Sequence, residues 1–243
     1  MKRFGQIFLI ILASAMILLL CSCGENTSFG DAENTSEERL STINQSEYVL
    51  YQNVFYNDYA KKIDGKTVKK VGIFATLHDA FNNTDRYYVW GYMDQTKCCD
   101  WQWEFQPKKG EKLPPVGSLV TVEGTFSSDD GALDNYWIKD ATVKTTTVYT
   151  GPTYDVNMYV MSDTLERVQI ANVVQIPDYF QNKTFSAYGR VKTMNSLQDP
   201  YYDGSWYIGF TYGGSVPAIG TTVLLTGTLN SGALTVETLN TID

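Results

Sequence analysis

An internal repeat constrains the fold of this chain more than any single motif does. Short elements recur in the same order in two stretches: a strand that begins near Lys-Thr, an aromatic strand, a Gly-x-x-Val strand and a last strand. The matched elements are residues 65–72, 87–90, 115–126 and 136–142 in the first copy and 182–189, 206–209, 218–229 and 234–239 in the second. This many ordered matches predict a tandem duplication of one folding unit.

The pattern inside each copy predicts β structure. No long segment repeats apolar residues at helical spacing, whereas several short segments alternate or are rich in Val, Thr, Tyr and Ile. About five strands fit in each copy, and a small Greek-key barrel of the OB type hides the edges of five strands. We therefore predict an all-β protein of two tandem OB-like five-stranded Greek-key barrels, at residues 47–147 and 148–243.

The N-terminus has the pattern of a lipoprotein signal peptide. Two positive residues precede an apolar run at residues 7–20, broken only by Ser14, which is shorter than the roughly 20 residues of a membrane-spanning helix. The run ends on LCSCG at residues 20–24, a pattern typical of a bacterial lipobox, and Cys23, unlike Cys21, follows a small residue. Residues 1–22 are thus a predicted signal peptide. We expect acyl chains such as palmitate on Cys23, and a protein anchored to the cell membrane that faces away from the cytoplasm.

Charge and composition limit the classes of partner that the remaining chain is expected to bind. Residues 23–46 are polar, acidic and nearly free of large apolar groups, so we expect a disordered tether that lifts the folded part off the bilayer. The net charge of −8 makes nucleic acid a poor partner, because contacts of Lys and Arg to phosphate supply most of that affinity. The expected partners are therefore the membrane, through the lipid anchor, and a ligand that is not nucleic acid.

The motifs of the first copy resemble a known group of bacterial proteins. Gly-Lys-Thr-Val at residues 65–68 and an aromatic strand come first, then the pair Cys98 and Cys99 with Glu-Phe behind it, and last Pro-x-Gly-x-x-Val-x-Val-x-Gly-Thr-Phe at residues 115–126. This order resembles uncharacterised OB-fold lipoproteins of Gram-positive anaerobes, across residues 50–145 and, more weakly, the second copy. The resemblance implies an OB fold and a lipid-anchored location, and it brings no established activity.

The two copies differ most around the adjacent cysteines. The matched positions place 16 extra residues in the first copy, around residues 97–107, so a role specific to this copy would lie there. Cys98 and Cys99 could be structural thiols, a vicinal disulfide, or thiolate ligands or redox thiols. In the last case Asp94, Asp100 and His78 are candidate further ligands, and zinc or another divalent metal is the possible cofactor.

A face of aromatic side chains also distinguishes the first copy. On the strand at residues 87–93, alternation sends the odd-numbered residues toward the barrel core and the even-numbered ones to the opposite face. The outward rings are Tyr88, Trp90 and Tyr92, and Trp101 and Trp103 are expected in the adjoining loop. Such rings suit stacking on a sugar or gripping a protein segment. The alternative is that they cover the interface between the barrels or pack under the Cys-Cys loop.

The sequence contains no recognisable catalytic constellation. His78 is the single histidine, so a Ser-His-Asp triad would need it, and nothing near it resembles a nucleophile elbow. We therefore expect a membrane-anchored extracytoplasmic lipoprotein that acts as a non-catalytic binding module for a carbohydrate or protein ligand, not an enzyme. The alternative function is metal or redox handling at Cys98 and Cys99 in support of a transporter.

Overall fold

Strands dominate the part of the chain that the structure, a computed structural model, describes. The described residues are 64–79, 82–92, 100–128, 136–201 and 205–242. The predicted signal peptide and tether lie outside them, and so do Cys23, Asp94, Cys98 and Cys99. Within the described ranges no helix is long and apolar enough to cross a bilayer. The prediction of a mostly β chain is confirmed.

The first five strands form a closed barrel. They are β1 (Thr67–Asp79), β2 (Thr84–Tyr92), β3 (Asp100–Pro107), β4 (Leu119–Ser128) and β5 (Tyr136–Thr147). The order around the barrel is β1-β2-β3-β5-β4, in which β3 pairs parallel with β5 and the other neighbours pair antiparallel. Because β1 pairs with β4 as well as with β2, the barrel removes the free edges of a flat sheet. The predicted five-stranded barrel of the first copy is thus confirmed.

The later strands form a second sheet. They are β6 (Val156–Asn157), β7 (Thr184–Thr193), β8 (Ser196–Gln198), β9 (Tyr207–Tyr212), β10 (Thr222–Asn230) and β11 (Ala233–Thr241). Their order is β10-β11-β9-β8-β7-β6, and β10 pairs with β7 in addition. From β7 the pairings therefore run through β8, β9, β11 and β10 and return to β7. In this circuit β9 and β11 are parallel, as β3 and β5 are in the first barrel.

The strand pairings correct the sequence match between the two copies. Residues 206–209 resemble residues 87–90 on β2, but the strand they enter, β9, occupies the position of β3, since it pairs parallel with the last strand. The predicted insertion of 16 residues around residues 97–107 is wrong for the same reason. That segment contains β3, a barrel strand with a counterpart in the second sheet. Both β2 and β3 are aromatic, so local sequence did not separate them.

Among the described residues a short 3-10 helix (Met158–Val160) and two α-helices precede β7, and the sequence analysis missed them. α1 (Asp163–Gln175) begins after Ser162, whose Oγ accepts a hydrogen bond from a backbone N–H of the first turn (3.2 Å). α2 (Pro177–Phe180) follows directly. The buried face of α1 carries Glu166 and Gln169 beside its aliphatic residues, and these polar groups weaken the helical period of the apolar ones. The serine cap and a run without Gly or Pro were the signals available.

Two hydrophobic cores result from this arrangement. One fills the first barrel and contains large rings such as those of Phe74 and Trp103. The other lies beneath α1 and the second sheet and extends to the outer face of the first barrel, where Ala75, Leu77 and Trp90 belong to it. Each large apolar side chain buried in this way stabilises the fold by about 1.5–3 kcal/mol. The outer face of β1 and β2 is therefore covered by the second half of the chain.

Candidate functional site

The aromatic face of β2 lies against the second half of the chain. Val89 is fully buried in the barrel core and Tyr87 packs against that core, so the side chains alternate as the sequence predicts. Tyr88, Trp90 and Tyr92 join the shared core on the opposite side, where Trp90 is 6% exposed. The indole Nε1 of Trp90 also donates a hydrogen bond to a backbone carbonyl just before α1 (3.1 Å). These rings thus cover an interface within the molecule.

Trp101 and Trp103 do not extend this face. They lie on β3, not in a loop, and they are buried in the core of the first barrel at 4% and 1% exposure. There they flank the ammonium group of Lys70, whose Nζ lies 4.1 Å from the ring centre of Trp103 and 5.5 Å from that of Trp101. Burial lowers the pKa of Lys70 to about 7. The prediction of an outward loop is wrong, because alternation on β3 turns both rings inward.

A cavity of about 400 Å³ lies where the aromatic face meets the second half of the chain. Small-molecule sites have volumes of roughly 300–1,000 Å³. The wall of the cavity comes from the first barrel, the segment before α1, the first turn of α1 and the second half of the chain. The lining residues are Ile73, Trp90, Tyr92, Gly117, Tyr149, Met158, Tyr159, Val160, Met161, Asp163, Glu166, Tyr188, Tyr201 and Ile242. The cavity thus combines aromatic rings with two carboxyl groups.

The rings of the cavity support one another. Trp90 and Tyr92 meet edge to face with their centroids 5.4 Å apart, and Tyr159 meets Tyr188 in the same way at 6.4 Å. Tyr188 and Tyr201 lie beside each other with their ring centroids 6.2 Å apart. Burial raises the pKa of Tyr201, and neighbouring tyrosines and Asp163 raise it further, so the phenol stays protonated. A set of rings held by such contacts loses little freedom when a ligand binds.

The start of α1 brings both carboxyl groups to the cavity. Asp100, on β3, accepts hydrogen bonds from the backbone N–H (3.1 Å) and from Oγ1 (3.0 Å) of Thr164. These bonds satisfy a free N–H of the first turn and fix the helix start against the first barrel. Asp163 and Glu166, three residues apart, lie in the same first turn. The first barrel therefore positions the acidic side of the cavity.

Asp163 titrates near neutral pH. Burial raises its pKa to about 6, and repulsion from Asp100 and Asp199 adds to the shift, while Arg167 opposes it. Most copies of Asp163 are thus ionised at pH 7, and most are protonated at pH 5. The charge of the cavity changes within this range.

Glu166 is fully buried beside Asp163. Burial raises the pKa of Glu166 well above its ordinary value, although the backbone N–H of Tyr188, 3.2 Å from its Oε1, favours the charged form. Repulsion from Asp163 and Asp199 raises the pKa further. The neutral form of Glu166 is therefore favoured, and a neutral carboxyl group can both donate and accept a hydrogen bond.

Most of the candidate metal ligands lie outside the described part of the chain. Cys98, Cys99 and Asp94 are outside it, and the carboxylate of Asp100 binds Thr164. Across the described ranges, no group of three or more His, Cys, Asp or Glu side chains is placed to hold a metal ion. The metal or redox function of the cysteine pair stays a prediction.

His78 lies at a second, smaller cavity of about 180 Å³. Its ring stacks on Tyr179 with the centroids 3.4 Å apart, and its Nδ1 is hydrogen-bonded to the carboxylate of Asp85 (3.1 Å). Its backbone carbonyl accepts a hydrogen bond from the side chain of Asn172 (2.8 Å). These contacts join the end of β1 to both helices, which is a structural role.

Sequence analysis identified one wall of the larger cavity and missed the other. Trp90 and Tyr92 were candidates, whereas Asp163, Glu166 and Tyr188 were not. The two carboxyl residues can be recognised as a pair only once α1 is identified, because residues three apart lie side by side on a helix.

No protein-family model matches the chain, and no curated protein sequence matches it significantly.

Proposed function

We propose that the protein is a non-catalytic binding module that holds a small carbohydrate in the cavity between the first barrel and the second half of the chain. The lining of the cavity carries this proposal: the rings of Trp90, Tyr92 and Tyr188 stand with the carboxyl groups of Asp163 and Glu166. Aromatic rings stack on the apolar faces of sugars, and carboxyl oxygens accept hydrogen bonds from sugar hydroxyls.

A small ligand fits this site better than a protein ligand does. A protein partner of ordinary affinity buries about 800 Å² on each side of an interface, which requires a broad surface. Of the rings expected to form such a surface, Trp90 and Tyr92 line a concave site of about 400 Å³ instead. Trp101 and Trp103 are buried in the core of the first barrel. Of the two ligand classes expected from the sequence, the carbohydrate is therefore the one we propose.

The location of the protein is part of the proposal. The apolar run at residues 7–20 and LCSCG at residues 20–24 support acylation of Cys23 and a position on the outer side of the membrane. Two or more acyl chains anchor a protein stably, whereas a single chain does not. An acidic tether at residues 23–46 would hold the binding module above the bilayer.

We also propose that the two β units are tandem OB-like copies of one ancestor, in line with the resemblance to OB-fold lipoproteins. Both units pair their strands in the same order. In both, a turn glycine at φ +92°, Gly117 or Gly220, donates its N–H to a backbone carbonyl, of Phe74 or Val191, at 2.8 Å. Matching details of backbone geometry at matching positions favour duplication over chance.

A glycan array tests the proposed function. The full-length protein, purified in detergent, is compared with Tyr92→Ala and with Tyr207→Ala, a matched control on β9 that is 47% exposed and does not line the cavity. We expect the wild type to bind a glycan, Tyr92→Ala to lose about tenfold or more in affinity, and the control to keep it. Absence of any bound glycan, or an equal loss in both variants, would contradict the proposal.

Membrane fractionation tests the proposed location. Cys23→Ala should move the protein from the membrane fraction to the soluble fraction. It should also remove the mass of the acyl chains, because they have no other attachment site in the proposal. Cys21→Ala is the control and should keep both membrane association and mass. If Cys23→Ala behaves like the wild type, the protein is not acylated at this position.

A further inference from the structure

Asp163 places a negative charge in the wall of the cavity. Asp100 and Asp199 lie close enough to Asp163 to repel its charge, whereas Glu166, in its neutral form, adds no charge to the wall. Arg167 offsets part of this charge, but an Nη atom of its guanidinium group lies 3.6 Å from the carboxylate of Asp199, and its side chain is 42% exposed to solvent. The faces of aromatic rings also attract cations. A cavity with these walls disfavours anions and favours a positive group.

We propose that the ligand of this cavity carries a protonated amine, so that the carbohydrate is an amino sugar; this inference rests on the proposed function. The amine would lie beside the carboxylate of Asp163 and the rings of Tyr92 and Tyr188, where ion pairing and cation–π attraction act together. Glu166, in its neutral form, would donate a hydrogen bond to the sugar. A neutral hexose would instead leave the charge of Asp163 unbalanced in a partly buried site.

Proton release on binding follows from this arrangement. A bound cation favours the carboxylate of Asp163 and lowers a pKa that stands at about 6 in the free protein. At pH 6 the amino sugar therefore expels protons, and below pH 6 its affinity falls. The groups that face Asp163 are the carboxyls of Asp100, Asp199 and Glu166, the guanidinium of Arg167, and the phenols of Tyr92 and Tyr201. Neither tyrosine titrates in this range, because burial raises the pKa of both.

Calorimetry with three sugars of similar size tests the inference. The full-length protein in detergent is titrated at pH 7 with glucosamine, glucose and N-acetylglucosamine. The three sugars share the ring and differ at one substituent, which is charged only in glucosamine. We expect glucosamine to bind at least about tenfold more tightly than the two neutral sugars. At pH 6, the binding heats of glucosamine in two buffers of different ionisation enthalpy should report release of protons.

Two variants separate the charge of Asp163 from general effects. Asp163→Asn should remove the preference for glucosamine and the proton release, whereas Asp178→Asn, an exposed residue in α2 outside the cavity lining, should keep both. Should Asp163→Asn fail to fold, the pH 6 measurement on the wild type decides alone.

The outcomes distinguish this inference from the proposed function. Equal affinities for glucosamine and glucose overturn the inference and leave carbohydrate binding standing. Failure of glucosamine to bind also overturns it, and the glycan array then decides the proposed function. A preference for glucosamine without proton release, or one that persists in Asp163→Asn, shows that the amine does not pair with Asp163 and overturns the inference as well.

Discussion

The first barrel and the second sheet pair their strands alike and fill their interiors differently. β1 meets β4 in the same register in which β7 meets β10. In that common register Lys70 on β1 corresponds to Ala187 on β7, and both are buried. On β3 and β9, Trp103 corresponds to Ile208. At these corresponding positions one interior thus holds an ammonium group beside indole rings, and the other holds a methyl group and an aliphatic side chain. Phe185, Trp206 and Phe210 supply rings elsewhere in the second core.

This difference teaches that the backbone pairing constrains the fold more tightly than the identity of the core side chains does. Interiors tolerate different residues as long as the total volume is kept. The glycines are less replaceable: Gly124 and Gly227 stand at the same irregularity of register in the two units, next to a carbonyl of the paired strand. Exchanging core residues and replacing glycines should therefore have different consequences in the two units.

Placing the buried lysine in the second sheet has the largest expected effect. Ala187→Lys would bring a charge into an interior that holds only a methyl group at this position, and we expect a loss of roughly 3–5 kcal/mol in the free energy of unfolding at pH 7. Urea denaturation of the full-length protein measures it. Ala187→Met, of similar length and without charge, is the control for overpacking. Equal losses in both variants would show that volume, not charge, separates the two interiors.

The two glycines at the register shifts come next. A Cβ on Gly124 would lie 2.5 Å from the carbonyl oxygen of Lys139, and one on Gly227 would lie closer still to that of Thr235. Gly124→Ala and Gly227→Ala should each lower the free energy of unfolding by roughly 3 kcal/mol, because backbone must move in both units. Gly213→Ala, with open space around the new Cβ, is the control. If only one of the two variants lost little stability, the strands that carry the two glycines, β4 and β10, would not be equivalent.

Removing the lysine from the first barrel should stabilise it. The pKa of Lys70 is about 7 in the folded protein, below its ordinary value of 10.5, so the unfolded chain binds the extra proton between these pH values. Wild-type stability should therefore rise with pH from 7 toward 10 through this group. Lys70→Met should gain roughly 2 kcal/mol at pH 7, and this gain should shrink toward pH 10.

Urea denaturation at several pH values checks this prediction. Lys69→Met, the neighbouring residue on β1 with a half-exposed ion pair to Glu123, is the control and should change stability by less than about 1 kcal/mol at every pH. A gain in Lys70→Met that does not vary with pH, or a net loss, would show that contacts of the ammonium group outweigh the cost of its burial.

Replacing the turn glycines should have the smallest effect on stability, and it compares the same turn in the two units. Gly117 and Gly220 both have φ +92°, so alanine at either position is strained by roughly 1 kcal/mol. A Cβ on Gly117 would also lie 3.0 Å from the ring of Tyr149, whereas one on Gly220 meets nothing within 4 Å. Gly117→Ala should therefore cost about twice as much as Gly220→Ala, measured by thermal or urea unfolding. A larger loss in Gly220→Ala than in Gly117→Ala would contradict the close contact between residue 117 and the ring of Tyr149 at the cavity wall.

Local patterns were predictable because they depend on neighbours along the chain. The alternation on β2 put Val89 inside and Trp90 outside whatever the strand paired with. Turn positions at Gly117 and Gly220 were equally readable, since a left-handed backbone favours glycine. The position of residues 206–209 in the sheet could not be predicted, because both aromatic strands of the first barrel, β2 and β3, resemble them. Only the pairing of β9 with a strand distant in sequence shows that it corresponds to β3.

The sequence by itself determined that the chain is mostly β, that its first unit is a five-stranded barrel and that aromatic side chains form an outward face on β2. Only the tertiary structure decided that this face is covered, that Trp103 points inward beside Lys70, and that a cavity remains at the boundary. The cavity is assembled from segments far apart in sequence, with Tyr92 on one side and Tyr188 on the other. No local pattern encodes such a site, because its shape depends on how two sheets and one weakly amphipathic helix pack together.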